Sequence, residues 1–314
     1  MTKPRITVFE AIHHSGLALL QIDCDVHFAY GSSRDEIIDR SRESDIIIIK
    51  SAVNVDVELI DSSPNLKVIA RAGTGLDNID VTYAQSQGKQ VLSVPAGNTV
   101  SAAEFAIMQM LLLCRRIPEV YRAIDNRDFR RHLLEGRELQ FMNVGLVGLG
   151  NVGIEVARRL KGFKSKIVAY DPWSRHIDEF QSMGGLMAGS LNELTQFADI
   201  ISLHTILTAT TRHLVNDQFF EQVKPGLLLV NTARGGVISE DSVLRALAIG
   251  KLSFYATDLI SPEPPFDLPP EKNHFTHPFL THPRIITTPH MAASTTEAQS
   301  RISIDLAQQI LKIF

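Results

Sequence analysis

Short apolar segments alternate with amphipathic ones along the whole chain. Strands of a parallel sheet that helices cover on both faces are nearly continuous in Val, Ile and Leu, whereas half-exposed strands alternate apolar and polar residues. The segment SRDEIIDRSRES, residues 33–44, is typical of an intervening helix. The pattern therefore predicts a small doubly wound α/β domain in the first third of the chain. Its predicted strands are ITVFE (6–10), DIIIIK (45–50), KVIAR (67–71) and QVLSV (90–94).

A second α/β unit is predicted after a long helix that begins near Asn98. In this helix, NTVSAAEFAIMQMLLLCRRIPEVYRAI, Ser101 and Glu104 have the spacing of a capping box, and apolar residues cover most of the circumference. A helix is also predicted over 294–314, and the Pro-rich stretch 261–283 is predicted to be a loop. The predicted strands are VGLVG (144–148), KIVAYD (166–171), DIISLH (199–204), LLLVN (227–231), FYATD (254–258) and a short one in RIITTP.

The segment NVGLVGLGNVGIEVARRLKGF carries a dinucleotide-binding pattern. Gly148, Gly150 and Gly153 have the GxGxxG spacing, an apolar strand leads into them, and an amphipathic helix follows. The first glycine permits the tight turn, the second lets the backbone approach a pyrophosphate, and the third lets the helix pack on the strand. The next strand ends in Asp171, whose carboxylate suits the adenine ribose hydroxyls and repels a 2′-phosphate. The predicted cofactor is therefore NAD, with Arg175 close by as the one feature that would suit NADP.

Three polar residues after later strands are candidates for acid–base chemistry. Arg234 in NTARGG, Glu263 in DLISPEPP and His290 in TTPHMAAS all follow predicted strands, and the carboxyl ends of parallel strands meet at one edge of a sheet. Reduction of a 2-keto acid needs a cation for the carboxylate, a proton donor for the carbonyl oxygen and a group that orients this donor. Each residue also has a simpler interpretation: a surface ion-pair partner for the arginine, a solvated loop residue for the glutamate and a structural residue for the histidine.

Taken in order, GLVGLGNVG, Asp171, NTARGG, the segment 258–264 and TPH resemble the D-isomer-specific 2-hydroxyacid dehydrogenase family. The resemblance covers almost the whole chain, and ARAGTGLDNIDV and PAGNTVSAAE are most similar to the D-3-phosphoglycerate dehydrogenase branch. It implies an α/β fold with two doubly wound parallel-sheet domains. A Rossmann NAD-binding domain, residues 98–283, is inserted into a flavodoxin-like substrate domain, residues 1–97 and 284–314. The implied activity is hydride transfer between NAD(H) and a D-2-hydroxy acid or 2-keto acid, with 3-phosphoglycerate as the first candidate substrate.

The same resemblance implies a role for each site residue. Arg234 would hold the substrate carboxylate, His290 would be the general acid and base, and Glu263 would support it. Gly75 would offer a backbone amide to the substrate carboxylate, while Lys50 and Arg71 suit either a substrate phosphate or domain packing and surface charge. Besides Gly148, Gly150, Gly153 and Asp171, the implied cofactor contacts are Thr74, Asn151, Val152, Thr205, Thr232, Ala233, Arg234, Asp258 and His290.

The chain also departs from the family pattern. Ile206 stands where a proline is usual, and the extra residues FDLPPEKNHFT lie in a loop that would influence substrate choice. Lys50 and Asn54 stand where the phosphoglycerate branch tends to be more strongly basic, which weakens the case for a phosphorylated substrate. A glyoxylate or hydroxypyruvate reductase is therefore the alternative enzyme. An NAD-sensing protein similar to the corepressor branch is the alternative from another class.

Composition excludes several other classes of protein. The chain has 314 residues and a net charge of −4, from 31 basic and 35 acidic residues, so it lacks the positive charge that nucleic acid or an anionic membrane surface requires. Two cysteines and the absence of a signal sequence favour the cytoplasm. No metal site is expected at His274, His277 and His282, since soft ligands are missing there. The resemblance implies a homodimer formed through the region after Asn98, and no C-terminal regulatory domain is expected.

Overall fold

The computed structural model describes residues 3–265 and 268–313, and this part of the chain forms two compact units. The first unit contains the residues up to Thr99 and those from Ala293 onward, and the second unit is Val100–Ala292. The first crossing lies close to the predicted position at Asn98. The second lies beyond the predicted Arg284, because 285–287 pair in parallel with 255–257 and therefore belong to the sheet of the second unit.

The elements of both units alternate along the chain. The strands are β1 (Arg5–Val8), β2 (Asp25–Phe28), β3 (Ile46–Ile49), β4 (Val68–Arg71), β5 (Gln90–Leu92), β6 (Asn143–Val147), β7 (Lys166–Tyr170), β8 (Leu186–Met187), β9 (Ile200–Leu203), β10 (Leu227–Asn231), β11 (Leu252–Thr257) and β12 (Ile285–Thr287). The α-helices are α1 (His14–Asp23), α2 (Arg34–Arg42), α3 (Val57–Asp61), α4 (Val81–Ser86), α5 (Thr99–Cys114), α6 (Ile117–Asp125), α7 (Asn151–Phe163), α8 (Ile177–Ser182), α9 (Leu191–Phe197), α10 (Asp217–Gln222), α11 (Glu240–Ala248), α12 (Pro278–Thr281) and α13 (Thr296–Leu311). No helix of the described chain is long and apolar enough to cross a bilayer.

The first unit is a five-stranded parallel sheet in the order β2-β1-β3-β4-β5. This is the flavodoxin-like order, as predicted. All four isoleucines of β3 are fully buried, and one apolar cluster covers each face of the sheet. Helix α2 begins with a capping box in which Ser33 and Glu36 satisfy each other's backbone N–H groups.

The second unit is a seven-stranded parallel sheet in the order β12-β11-β10-β9-β6-β7-β8. Six of these strands follow the Rossmann order, which reverses between β6 and β9, and β12 extends the sheet beyond β11. Apolar clusters again lie on both faces. The predicted fold class of two doubly wound α/β domains is therefore confirmed. In such sheets, ligands bind outside the carboxyl ends of the strands at the reversal point.

The predicted long helix after Asn98 is wrong in two respects. It is two helices, α5 and α6, separated by Arg116 in the left-handed conformation at φ 54°. Pro118 lies in the first turn of α6, where its missing N–H costs nothing, but it cannot continue a helix from α5. The predicted capping box is also wrong, because α5 begins at Thr99 and Ser101 lies inside the helix, buried.

The Pro-rich stretch predicted as a loop contains two short helical segments. These are a 3₁₀ turn at Pro270–Lys272 and helix α12. The rest of the stretch that the structure describes is irregular. Phe266 and Asp267, which belong to the extra residues of this loop, lie outside the described residues.

Candidate active site

The glycine loop between β6 and α7 is built for close backbone approach. Gly148 has a φ of 96°, and a Cβ atom there would lie 2.6 Å from the backbone oxygen of His204. A Cβ atom on Gly153 would lie 2.3 Å from the oxygen of Gly148, whereas one on Gly150 would meet nothing within 4 Å. Gly150 is the N-cap of α7 without a side-chain cap, so the first turn, including Asn151 and Val152, offers its N–H groups to an anion.

Asp171 holds this loop in place from the end of β7. One carboxylate oxygen, Oδ2, accepts a 2.8 Å hydrogen bond from the N–H of Leu149, and Oδ1 accepts one of 2.9 Å from the N–H of Trp173. Ser174 Oγ donates to the carbonyl of Leu149 at 2.6 Å. Both backbone groups of Leu149 are therefore tied to the segment that follows β7, which fixes the glycine loop against that segment.

Buried polar atoms without a partner line the same sheet edge. The hydroxyls of Thr205, after β9, and Thr232, after β10, have no hydrogen-bond partner among the described residues, and the same holds for Nε2 of His204. Burial lowers the pKa of His204 to about 4, so its ring is neutral at pH 7. An unsatisfied buried polar group costs about 1–3 kcal/mol, so two such hydroxyls suit a ligand that carries donors and acceptors. Together with the open space at Gly150, they fit a bound dinucleotide.

Arg234 follows β10 on a turn that Asn231 organises. The Asn231 amide accepts a hydrogen bond from the N–H of Ala233 at 3.0 Å and donates one to the carbonyl of Arg234, also at 3.0 Å. The guanidinium of Arg234 donates to the carbonyl of Ala233 at 2.7 Å and is half-buried. The backbone of this turn is thereby fixed at the edge where Thr232 lies.

His290 and Glu263 form a hydrogen-bonded pair. Nδ1 of His290 lies 3.1 Å from Oε2 of Glu263, and the side chains are 29% and 36% exposed. The remaining ring nitrogen, Nε2, is the atom that can exchange a proton with a ligand. The backbone of His290 is left-handed, at φ 52°, which a non-glycine residue adopts only where its surroundings enforce it.

Asp258 supplies those surroundings. Its buried carboxylate accepts hydrogen bonds from Thr288 Oγ1 at 2.6 Å and from the N–H groups of Met291 and Ala292 at 2.9 and 2.8 Å. Its backbone carbonyl accepts from the N–H of His290 at 2.9 Å. Burial raises the pKa of Asp258, while these three donors oppose the shift. Asp258 thus fixes the turn on which His290 lies.

Glu240 at the start of α11 anchors the segment that carries Glu263. One of its carboxylate oxygens accepts from the N–H of Ser261 at 2.9 Å, and the other lies 2.7 Å from Nε2 of His277. The second nitrogen of His277 caps α12 by accepting from the N–H of Phe279. Both ring nitrogens are therefore engaged within the protein, and no group of three or more potential metal ligands occurs among the described residues.

Four further predicted site residues lie in the first unit, near the carboxyl ends of β3 and β4. Lys50 Nζ donates to Gln299 Oε1 at 3.0 Å and to the carbonyl of Ala11 at 3.2 Å. The Arg71 guanidinium lies so close to the following turn that a Cβ atom on Gly73 would be 1.6 Å from Nη1. Thr74, which precedes Gly75, donates its hydroxyl to Asn98 Oδ1 at 2.9 Å.

Several residues that organise the site were missed in the sequence. In the first unit, Glu10 accepts hydrogen bonds from the N–H groups of Lys50, Ala52 and Val53 and so fixes the loop after β3. In the second unit, Asn231 and Glu240 were missed. Their positions, at a strand end and at a helix start, are the available signals, because polar side chains there commonly bind loop backbone.

Comparisons with known proteins agree with this geometry. Residues 107–292 match the family model described as D-isomer specific 2-hydroxyacid dehydrogenase, NAD binding domain. The chain is 37% identical over 282 residues to the hydroxypyruvate reductase of Thermotoga maritima, covering 89% of this chain and 88% of that one. It is 34% identical over 309 residues to the D-3-phosphoglycerate dehydrogenase of Methanocaldococcus jannaschii, covering 98% of this chain and 57% of the relative. The chain thus spans little more than half the length of that relative.

A solved structure is similar over the same extent. The D-lactate dehydrogenase of Aquifex aeolicus, complexed with NAD and lactic acid, is 25% identical with a TM-score of 0.88 and covers 98% of this chain and 95% of that one. The match of the second unit to an NAD-binding domain confirms the cofactor predicted from the glycine loop and Asp171. This chain belongs to the D-isomer specific 2-hydroxyacid dehydrogenase family.

Proposed function

We propose that this chain is an NAD-dependent dehydrogenase that interconverts a D-2-hydroxy acid and the corresponding 2-keto acid. The observation that carries the proposal is the hydrogen-bonded pair of His290, on the turn that Asp258 fixes, and Glu263, with Nδ1 and Oε2 3.1 Å apart. It lies at the carboxyl edge of the sheet that also carries Arg234 and the glycine loop. The same edge therefore offers a proton donor, a cation for a carboxylate and a place for a dinucleotide.

The roles follow from the chemistry of each side chain. The planar guanidinium of Arg234 suits two hydrogen bonds to a substrate carboxylate. In reduction, the imidazolium of His290 donates the Nε2 proton to the carbonyl oxygen, and in oxidation the neutral ring accepts the hydroxyl proton. Glu263 accepts the hydrogen bond from Nδ1–H, which fixes the tautomer and stabilises the imidazolium. When bound, NAD(H) supplies or accepts the hydride.

The first candidate substrate is 3-phosphoglycerate, with 3-phosphohydroxypyruvate as its keto acid. Supporting it are the relatives named D-3-phosphoglycerate dehydrogenase and the basic side chains of Lys50 and Arg71 near one sheet edge of the first unit. Hydroxypyruvate or glyoxylate is the second candidate. It is supported by the Thermotoga maritima hydroxypyruvate reductase, which this chain matches over most of the length of both.

Steady-state oxidation of NADH with a panel of keto acids tests both the proposed activity and the proposed substrate. The panel contains 3-phosphohydroxypyruvate, hydroxypyruvate, glyoxylate and pyruvate. The highest kcat/KM with the phosphorylated compound supports the first candidate, and a higher value with hydroxypyruvate or glyoxylate replaces it by the second. Tight NADH binding without turnover of any compound would contradict the enzyme proposal and favour the NAD-sensing alternative.

The proposed assembly is a homodimer that forms through the region after Asn98. Large apolar side chains are exposed there, among them Tyr121 at 66%, Phe129 at 73% and Phe141 at 71%. Light scattering should give twice the chain mass for the wild type and a monomer for Phe129→Asp.

We also propose a cytoplasmic location, because Cys24 and Cys114 are both buried free thiols. Cell fractionation tests this location.

A further inference from the structure

Arg175 is held at the N-terminus of α7 by an amide oxygen and a histidine ring nitrogen. Its Nη2 donates to Oδ1 of Asn151, the first residue of the helix, at 2.9 Å, and its Nε lies 3.4 Å from Nε2 of His176. Arg158 and Arg159, farther along α7, form ion pairs with Glu155. Among the residues that the structure describes, Arg175 has no such carboxylate partner.

The contact with Asn151 places the guanidinium of Arg175 at the N-terminal end of α7. The N-terminus of a helix carries a partial positive charge, so it stabilises anions and is a poor place for a guanidinium. The first turn of α7 contains no acidic side chain that would offset this charge. Local conflicts of this kind concentrate at functional sites, and a bound anion would resolve this one.

The backbone leading to Arg175 is fixed against the glycine loop. Asp171 accepts from the N–H of Leu149, and Ser174 donates to the carbonyl of Leu149 at 2.6 Å and accepts from the N–H of His176 at 3.0 Å. Arg175 thus follows the two side chains that anchor this turn, Asp171 and Ser174. The side chain is exposed, and its Nη2 is hydrogen-bonded to the side chain of the first residue of α7.

We propose that Arg175 binds the pyrophosphate of the dinucleotide, together with the N–H groups at the start of α7. The guanidinium lies at Asn151, where phosphates bind in a strand–glycine–helix turn. Asp171 lies on the ribose side of the same segment, where its negative charge disfavours a 2′-phosphate. Arg175 therefore strengthens the binding of NAD(H) through its phosphates and does not convert the site to NADP(H).

Calorimetric titration of the full chain tests this role without relying on turnover. The variants are Arg175→Ala, Arg175→Lys and, as the control, Arg158→Ala, which removes an exposed arginine farther along α7. The probes are NADH, NADPH and ADP, the last of which carries two phosphates without nicotinamide. Melting curves of each variant check that the second unit stays folded.

The expected result is a rise of about tenfold in the Kd of Arg175→Ala for both NADH and ADP, the effect of losing one charge-assisted hydrogen bond. The Kd of this variant should also depend less on NaCl concentration, because one phosphate contact is gone. Arg175→Lys should retain the salt dependence of the wild type, and Arg158→Ala should bind as the wild type does. Unchanged binding of NADH by Arg175→Ala, or a loss confined to NADPH, would overturn the proposal.

Discussion

Gly150 and Gly153 are separated by less than one helical turn, yet the structure predicts opposite consequences for their substitution by alanine. At Gly153 the added Cβ atom would lie 2.3 Å from the backbone oxygen of Gly148, whereas at Gly150 it would enter open space. Gly153→Ala is therefore a perturbation of packing, and Gly150→Ala is a perturbation of the space that a pyrophosphate needs.

The loss of stability expected for Gly153→Ala follows from that contact. A carbon–oxygen contact is comfortable at about 3.3–3.6 Å, so α7 must move about 1 Å away from the loop. Overpacking of this kind destabilises a protein by about 1–3 kcal/mol. The better helix propensity of alanine offsets up to about 1 kcal/mol of this loss. The net loss of about 1–2 kcal/mol should lower the melting temperature by about 2–8 °C.

Gly150→Ala should behave differently. The backbone there has φ −79° and ψ −159°, which alanine adopts without strain, so the free energy of unfolding should change by less than about 0.5 kcal/mol. The methyl group would keep a phosphate from the backbone N–H groups. Loss of one hydrogen bond to a charged group, about 1.5–3 kcal/mol, corresponds to a rise of about 10–100-fold in the Kd for NADH.

Differential scanning fluorimetry and calorimetric NADH titration of both variants provide the test. A stable Gly150→Ala protein with weak NADH binding, beside a destabilised Gly153→Ala protein, is the expected pair of results. Wild-type NADH affinity in Gly150→Ala would refute the placement of the phosphates. Equal destabilisation of the two variants would refute the steric argument.

Three further predictions concern the proton, the substrate and pH. Glu263→Gln should lower kcat about 10–100-fold with an unchanged Kd for NADH, measured by steady-state kinetics and titration; an equal loss of NADH affinity would contradict its role beside His290. Arg234→Lys should raise KM for the keto acid at least about tenfold, because lysine lacks the planar fork, and an unchanged KM would remove Arg234 from carboxylate binding. His204 has a pKa of about 4 when folded, below its unfolded value, so the unfolded chain binds the extra proton as pH falls. Because of His204, the free energy of unfolding should fall by about 2 kcal/mol from pH 7 to pH 5. Urea titrations of wild type and His204→Asn at both pH values measure this fall. The same fall in His204→Asn as in the wild type would contradict the assignment to His204.

The sheets were predictable from sequence because their strands are buried on both faces. Ile46–Ile49 has no polar position, and such a segment has few alternatives to a central strand. Asp25–Phe28, by contrast, is an edge strand with exposed and half-exposed residues, and no continuous apolar run marks it. The edge strands β5 and β12 contain apolar runs and were predicted, so local composition fails at an edge strand only where, as in β2, such a run is missing.

The candidate site was predictable where one local segment carries the chemistry. The glycine loop and Asp171 belong to a single strand–turn–helix–strand unit, so spacing alone places them. The contacts of Glu240 with Ser261 and His277 join residues that are distant in sequence, and they depend on how α11 packs beside the strands. Pro118 is a sequence signal for the break between α5 and α6, whereas the left-handed conformation of Arg116 is visible only in the structure.

Asp258 illustrates how a residue identified from sequence can acquire a second role in the structure. A carboxylate has about four acceptor sites. Three of those on Asp258 are occupied by Thr288, Met291 and Ala292, two on Oδ1 and one on Oδ2. Acceptor capacity for a nicotinamide carboxamide therefore remains on Oδ2, while the occupied sites hold the turn that fixes His290 in its left-handed conformation. If the proposed roles hold, one buried carboxylate would orient both the His290 ring and the nicotinamide carboxamide, so Asp258→Asn should alter both kcat and the Kd for NADH.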